Sequence, residues 1–309
     1  MEKEVKKIIK DIKSLKIQGA RNIAKSVIRA LIIQIKNSKA KTLNSLYSEL
    51  LVVSDALASA RPTEPMVRNY IQDTANFAFS EIRSRKSKTV KKLKSDITHH
   101  VEDYLKKMDS NSKKLSDYGS KLISEGSIVM TYCHSSTVTG ILKRAKEKGR
   151  NFEVIVCETR PKLQGRLTAK ELISKGIKTT LIVDSAMNVF MKKADLCIVG
   201  ADAVTSTGDL INKIGTSTLA HIARFHDVSF YSAAELYKYS PLSLYGTREI
   251  IEERDPDEIW KSPPKKLKIN NPAFDATAAR YINAYITEEG LISPHFLFSL
   301  VNRKFKGVI

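Results

Sequence analysis

The chain of 309 residues is predicted to fold as an α/β protein, with a helical N-terminal domain followed by a doubly wound, mostly parallel sheet domain. Apolar residues recur at helical spacing from Val5 to about Met108. After about Gly119, short apolar runs alternate with helical stretches, which is the rhythm of parallel β-α-β units. We therefore expect domains at residues 1–118 and 119–309.

Gly, Pro or a polar cluster interrupts the helical pattern of the first domain at three places. These breaks lie at residues 18–20, 37–40 and 61–65. A further helix is predicted over residues 66–83, and the last helix of this domain is predicted to end at residues 109–111.

Six apolar runs in the second domain are predicted strands. They cover residues 128–133, 152–157, 179–183, 196–199, 228–231 and 285–287. Connecting helices are predicted at residues 137–148, 168–175, 186–193 and 214–226. Helices between successive parallel strands cover both faces of a sheet, so the domain is predicted to be Rossmann-like. The glycine patterns of dinucleotide-binding turns and P-loops are missing, which argues against those nucleotide sites.

Composition and charge narrow the function classes. The net charge of +19 suits a nucleic-acid binder, a protein with an acidic partner or an enzyme of a multiply phosphorylated small substrate. The basic runs in the first third lack interleaved aromatic residues and are typical of solvated helix faces. No apolar run reaches the roughly 18 residues of a membrane span, and we expect a cytoplasmic protein that binds no membrane. The three cysteines have no CxxC spacing, so no structural metal is expected.

Two acid–base candidates, Cys133 and Asp202, follow directly after predicted strands. Because the carboxyl ends of parallel strands meet at one edge of an open sheet, we expect both residues at a common ligand site. Each has a simpler interpretation: a cysteine in an apolar strand is usually a buried core residue, and an aspartate after a strand often caps a helix. Asp184 is expected to be such a cap.

Candidate phosphate ligands lie near the same edge. Ser135-Ser136-Thr137 can cap the following helix, or its amides and hydroxyls can hold a phosphate. Lys213, after Asn212 at the predicted start of a helix, and Lys238 are ordinary solvated cations if taken alone. Beside a bound phosphate they become charged ligands.

Six motifs together carry a resemblance to a known family. They are Met130-Thr131-Tyr132-Cys133-His134-Ser135-Ser136, Glu158-Thr159-Arg160-Pro161-Lys162-Leu163-Gln164-Gly165, Gly200-Ala201-Asp202, Ile211-Asn212-Lys213-Ile214-Gly215-Thr216, Arg254-Asp255-Pro256 and Asn271-Pro272-Ala273-Phe274-Asp275. Over nearly its whole length the chain resembles archaeal ribose-1,5-bisphosphate isomerases. Their superfamily includes methylthioribose-1-phosphate isomerases and the alpha, beta and delta subunits of translation initiation factor 2B. The Cys133 and Asp202 pair resembles the isomerase branches, since the regulatory subunits typically lack one or both.

The resemblance implies an aldose–ketose isomerase that converts ribose 1,5-bisphosphate to ribulose 1,5-bisphosphate in nucleoside monophosphate breakdown. It implies no cofactor or metal, AMP as an allosteric activator, and a homo-oligomer, either a dimer or a hexamer built as a trimer of dimers. It also implies that the substrate is held by Gly19, Ala20, Arg21, Arg61, Ser135, Ser136, Thr137, Asn212, Lys213 and Lys238. Gln18 departs from the family, which usually has Arg there, and a lost guanidinium weakens phosphate binding unless Arg21 compensates.

The chemistry of this reaction calls for one acid and one base. Asp202 is predicted to protonate the ring oxygen, and Cys133 as thiolate is predicted to accept the C2 proton. The following helix N-terminus favours a thiolate, whereas a phosphate bound there disfavours it, and the sequence leaves that balance open. Because Arg21 and Arg61 belong to the helical domain, the active site is predicted in the cleft between the domains.

Two alternative functions stay open at this point. In the first, the chain is a non-catalytic regulatory subunit like those of initiation factor 2B, and its helical domain contacts initiation factor 2. In the second, it is a methylthioribose-1-phosphate isomerase, with an apolar thioether pocket in place of a second phosphate site.

Overall fold

The computed structural model describes residues 1–247 and 249–305. The chain divides into two compact units, a helical unit of Met1–Ser110 joined by the C-terminal residues from Asn302, and a sheet unit of Asn111–Val301. The division at residues 110 and 111 lies inside a long helix, ahead of the boundary expected from the sequence.

The helical unit is built on helices that begin and end close to the predicted breaks. They are α1 (Lys3–Lys13), α2 (Ala20–Asn37), α3 (Leu43–Ala58), α4 (Pro65–Arg83) and α5 (Val90–Ser120). Gly19 takes a positive φ of 81° directly before α2, and Pro65 provides the first residue of α4. Helix α2 packs against α1, α3 and α4.

The predicted end of the last helix at residues 109–111 is wrong, because α5 continues to Ser120. Met108 and Leu115 are both buried, so the apolar stripe runs on through the polar residues between them. Asp, Ser and Asn lower helix propensity without breaking a helix, unlike Pro. Burial of the stripe therefore outweighs the local preference.

The sheet unit contains strands and helices in alternation. The strands are β1 (Ile128–Thr131), β2 (Glu153–Cys157), β3 (Lys178–Ile182), β4 (Leu196–Val199), β5 (Ala203–Val204), β6 (Leu210–Lys213), β7 (Ser229–Ala233), β8 (Phe274–Thr277), β9 (Ala284–Thr287) and β10 (Gly290–Ile292). The helices are α6 (Ser136–Glu147), α7 (Gly165–Ile173), α8 (Met187–Met191), α9 (Thr216–Phe225) and α10 (Leu297–Lys304).

Within the described ranges, seven strands form the main sheet in the order β10-β9-β7-β4-β1-β2-β3. All neighbouring pairs are parallel except β9 and β10. From β1 the chain builds outward through β2 and β3 on one side and then returns to β4 on the other. The predicted doubly wound, mostly parallel sheet is confirmed, and its topological switch point lies between β1 and β4.

A second, smaller sheet was not predicted. Strands β5, β6 and β8 form it in that order with antiparallel pairing. Asn212 and Lys213, expected to open a helix, lie in β6 instead, so that prediction is wrong. Helix α9 begins at Thr216, after Gly215 with a φ of 101°. A Cβ at Gly215 would collide with the Tyr132 hydroxyl, so glycine is required there for close packing as well as for its conformation.

Apolar side chains on one face of the main sheet pack against α6 and form a core there. Val129 of β1, Val154 of β2 and Ile198 of β4 pack with Ile141 and Leu142 of α6. In the residues that the structure covers, no helix is both long and apolar enough to cross a bilayer.

Candidate active site

Cys133 and Asp202 lie just beyond β1 and β4, which are neighbours in the sheet. Both residues are at the carboxyl edge, one on each side of the switch point. Open α/β sheets place their ligands at this position because the connections diverge there and leave a crevice. The two acid–base candidates are thus brought to one location, as the sequence predicted.

The backbone of Cys133 is in the left-handed region, with a φ of 65°. For a residue with a Cβ this conformation costs about 1–2 kcal/mol. Thr159 Oγ1 accepts a hydrogen bond from the Cys133 N–H at 2.9 Å, and Thr168 Oγ1 donates one to the Cys133 carbonyl at 2.8 Å. Cys133 is only partly buried, unlike Cys157 and Cys197, so it is not an ordinary core cysteine.

Burial raises the pKa of the Cys133 thiol to about 11. The Lys213 ammonium opposes this pKa shift most strongly, and a hydrogen bond from the His134 N–H to the sulfur opposes it as well. The carboxylates of Asp202 and Asp184 add to the rise of the pKa. With this pKa the thiol of the ligand-free protein is protonated at neutral pH, whereas the sequence predicted a thiolate.

Asp202 is partly exposed and does not cap a helix, because strand β5 follows it. Its N–H donates to the Ile211 carbonyl at 3.0 Å, which ties the end of β4 to β6. Gly200, two residues earlier, lies against Ser135, and a Cβ there would be 2.7 Å from the Ser135 hydroxyl oxygen. Glycine at this position lets the two strand ends approach each other.

Ser135 is the N-cap of α6, and its hydroxyl accepts from the Val138 N–H at 3.4 Å. The capping interpretation therefore holds for this serine. Ser136 and Thr137 form the first turn of α6, where backbone N–H groups point outward along the helix axis. An anion could bind at this terminus without displacing the cap.

Two lysines and an amide side chain surround the pair. Lys213 is partly buried, with its Nζ 4.9 Å from the centroid of the Phe274 ring. Lys238 is only 6% exposed, and its Nζ donates to the carbonyl of Ala201, the residue before Asp202. The buried amide of Asn212 donates to Thr216 Oγ1 at 3.0 Å. Neither lysine is therefore a freely solvated cation.

The remaining predicted ligands belong to the helical unit. Gly19 and Ala20 form the start of α2. Arg21 donates to the Met108 carbonyl at 2.7 Å and to Asp109 at 3.0 Å. The Arg61 side chain is mostly buried, with its Nε 4.0 Å from Glu64 Oε1.

The side chain of Gln18 turns back to its own chain, donating to the Leu15 carbonyl at 2.6 Å. A role for Gly19, Ala20, Arg21 and Arg61 in a site with Cys133 stays a prediction.

Several residues of the site were missed or misassigned. Asp184 was expected to cap its own helix, and that prediction is wrong, because its carboxylate accepts from the N–H groups of Thr159 at 2.8 Å and Arg160 at 2.7 Å instead. Asp275 accepts from the Gly215 N–H at 2.7 Å at the N-terminus of α9, and burial raises the pKa of Asp275 to about 6. Asp184 and Asp275 accept from N–H groups that are distant in sequence, so no local pattern indicated either contact.

Across residues 1–247 and 249–305, no cluster of three or more His, Cys, Asp or Glu side chains is arranged to hold a metal ion. The chemistry that the site offers is proton transfer. A thiol and a carboxyl group lie at adjacent strand ends, with two ammonium groups nearby to hold anionic groups of a ligand.

A family model for the initiation factor 2 subunit family matches residues 16–294. The chain belongs to the initiation factor 2 subunit family. Among its relatives in the family, the ribose 1,5-bisphosphate isomerases of Pyrococcus furiosus and Thermococcus kodakarensis are 37% and 36% identical to it. The alignments cover 98% of this chain and 94% and 95% of those proteins.

A solved structure, the translation initiation factor eIF-2B of Pyrococcus horikoshii, matches this chain with a TM-score of 0.81 at 28% sequence identity. The match covers 95% of this chain and 98% of that one. Relatives in this family therefore carry names of two kinds, of an enzyme and of a translation factor.

Proposed function

We propose that this chain is an isomerase that converts ribose 1,5-bisphosphate to ribulose 1,5-bisphosphate. The observation that carries the proposal is the pairing of Cys133 with Asp202 at the switch point, within range of the Lys213 ammonium. The names of relatives that match almost the whole chain support the same substrate.

The reaction needs no net redox change, and its proton transfers balance between two groups. In the substrate complex the Cys133 thiol passes its proton to the Asp202 carboxylate, and the resulting carboxylic acid donates that proton to the ring oxygen as the bond from C1 to that oxygen breaks. The Cys133 thiolate takes the C2 proton, and the electron pair of the C2–H bond forms a C1–C2 double bond. The Cys133 thiol then returns a proton to C1 while the C2 hydroxyl gives its proton to Asp202. The product is the 2-ketose, with both phosphates retained and both groups restored.

Two phosphates bring close to four negative charges at neutral pH, and cationic ligands compensate them. In this proposal Lys213, Lys238, Asn212 and the turn Ser135-Ser136-Thr137 hold the substrate on the sheet unit. Gly19, Ala20, Arg21 and Arg61 of the helical unit complete the proposed binding set. AMP as an activator and a homo-oligomeric state, dimeric or hexameric, are further parts of the proposal.

The test is to incubate the purified protein with ribose 1,5-bisphosphate, with and without AMP, and to follow the C2 ketone of the product by 13C NMR. Cys133→Ser and Asp202→Asn are expected to lower turnover by at least about a hundredfold. Cys197→Ala is the matched control, because Cys197 is buried in the core, where its Sγ lies 3.6 Å from the Met191 Sδ. Near-native turnover of either site variant would refute the assignment.

The regulatory function is the second candidate, since the translation factor of Pyrococcus horikoshii shares this fold at 28% identity. It predicts binding to initiation factor 2 and no detectable isomerisation. Supplying methylthioribose 1-phosphate as a competitor in the same assay separates the third candidate, because a thioether pocket would favour that sugar over the bisphosphate.

A further inference from the structure

Two buried threonine hydroxyls hold the peptide groups on both sides of Cys133. Thr159 lies just after β2, and its Oγ1 accepts from the Cys133 N–H at 2.9 Å. Thr168 lies in α7, and its Oγ1 donates to the Cys133 carbonyl at 2.8 Å. Both side chains are at most 1% exposed, so water cannot replace these hydrogen bonds at low cost.

Thr159 is itself fixed by the strand beside it. Its hydroxyl donates to the Cys157 carbonyl at 3.2 Å, which leaves a lone pair directed at the Cys133 N–H. Its own φ is 65°, and the Asp184 carboxylate holds its N–H at 2.8 Å. The hydroxyl therefore has one orientation in which both of its hydrogen bonds are satisfied.

Thr168 is fixed in a similar way by His134. The single hydroxyl proton of Thr168 is used on the Cys133 carbonyl, so the contact of 3.1 Å with the His134 Nδ1 requires the hydroxyl to accept. The imidazole must then carry a proton on Nδ1. Burial lowers the pKa of His134, which favours the neutral ring.

The left-handed conformation at Cys133 is held against its own cost. A residue with a Cβ prefers an extended conformation by about 1–2 kcal/mol, so without the hydrogen bonds to its two peptide groups the chain would relax and move the sulfur. Two hydroxyls therefore stabilise a conformation that costs energy by itself.

We propose that Thr159 and Thr168 are positioning residues, whose hydroxyls hold Cys133 in the left-handed conformation and thereby fix the position of its sulfur. The effect on turnover rests on the proposed isomerase function. The effect on the reactivity of the sulfur does not.

The experiment uses the whole chain and the variants Thr159→Val and Thr168→Val, which keep the shape of the side chain and remove the hydroxyl. Thr287→Val is the matched control. Thr287 is fully buried, donates to the Gly290 carbonyl at 2.9 Å and accepts from the Glu289 N–H at 3.1 Å, on strand β9. Alkylation of Cys133 by iodoacetamide is measured by peptide mass spectrometry across pH 7–10.5.

In each of the variants Thr159→Val and Thr168→Val, alkylation of Cys133 is expected to be about five- to tenfold slower at a fixed pH. This factor corresponds to one lost hydrogen bond. kcat is expected to fall by a similar factor with KM within about twofold, since the bound substrate is unchanged. Thr159→Ser and Thr168→Ser are expected to restore both rates. Thr287→Val is expected to react like the parent chain.

Parent-like alkylation rates and pH dependence in both valine variants would overturn the proposal. Equal slowing in Thr287→Val would overturn it too, because the loss would then follow from general destabilisation. Circular dichroism and thermal unfolding identify a variant that does not fold, and the serine variants then carry the comparison. If the parent chain fails to isomerise the sugar bisphosphate, only the proposed function fails, since the alkylation rates still decide the role of the hydroxyls.

Discussion

The Lys213 ammonium is the strongest of the groups that favour a thiolate at Cys133, so replacing it tests the electrostatics of the site directly. We consider Lys213→Met, which keeps an apolar stem against the Phe274 ring while removing the charge. The change is predicted to raise the pKa of the Cys133 thiol.

The magnitude follows from the thiol's pKa of about 11. Thiolate is then roughly one part in a thousand at pH 8, and its share grows about tenfold per pH unit until pH 11. An opposite charge at close range shifts a pKa by about 1–3 units, and Lys213 is partly exposed, so we expect the low end of that range. Lys213→Met should therefore slow alkylation about tenfold throughout the rising part of the profile.

The assay is the pH profile of Cys133 alkylation between pH 7 and 10.5, with Lys178→Met as the control. Lys178 is an exposed lysine paired with Glu153 on the edge strand β3, so its removal changes the net charge equally without touching the site. A profile of the parent chain that levels off at pH 8–9 would refute the inference that burial dominates. Indistinguishable profiles for the two variants would refute the role of Lys213.

Three further predictions concern other parts of the molecule. Burial raises the pKa of Asp275 from 3.8 to about 6, so the folded protein favours the protonated carboxyl group more than the unfolded chain does. The stability that this group contributes is fully present below pH 4 and is lost as the pH rises through 6. Urea unfolding of the parent chain relative to Asp275→Asn should show this as a loss of up to about 3 kcal/mol between pH 4 and pH 7, and a flat difference would contradict it. Gly215→Ala should lower stability by about 1–3 kcal/mol more than Gly176→Ala, since both glycines have positive φ but only Gly215 lies against Tyr132; equal thermal shifts would show that the contact is unimportant. Gln18→Arg should lower the KM for ribose 1,5-bisphosphate about two- to fivefold, the range of an exposed ion pair, whereas an unchanged KM would indicate that Arg21 already compensates.

The sequence was most informative where burial follows a simple period. Continuous apolar runs such as 128–133 and 196–199 placed β1 and β4 correctly, and with them the positions of Cys133 and Asp202 at neighbouring strand ends. The parallel β-α-β rhythm was sufficient for this, because it constrains which strands neighbour each other.

Strands that contain polar residues were beyond the reach of the same reasoning. Strands β6 and β8 pair Asn212 with Asp275, residues that are far apart in the chain, and neither strand is a continuous apolar run. Nothing local distinguishes such a segment from the start of a helix, so Asn212 and Lys213 were assigned to the wrong element. The end of α5 was misplaced for a related reason, since burial of Leu115 becomes visible only in the folded chain.

The side chains that hold the reacting groups were also invisible to local patterns. Thr159, Thr168 and Asp184 form hydrogen bonds to the backbone of other segments. The sequence around a threonine in a turn or a helix does not predict such a contact. The motif around Thr159 is one of those that carry the family resemblance. Its physical purpose comes from the left-handed conformation of Cys133, which no periodicity predicts.

The strain at Cys133 bears on the choice between a catalyst and a regulator. A left-handed non-glycine residue costs about 1–2 kcal/mol, and glycine at position 133 would remove that cost while leaving the hydrogen bonds of Thr159 and Thr168 intact. A fold that needs only the turn gains nothing from a thiol there, whereas a proton-transfer site needs the sulfur beside the His134 N–H. Cys133→Gly is therefore expected to keep or raise the thermal stability while abolishing turnover. A variant that instead loses more than about 2 kcal/mol in urea unfolding would show that the thiol is part of the core, and the argument for catalysis from strain would fail.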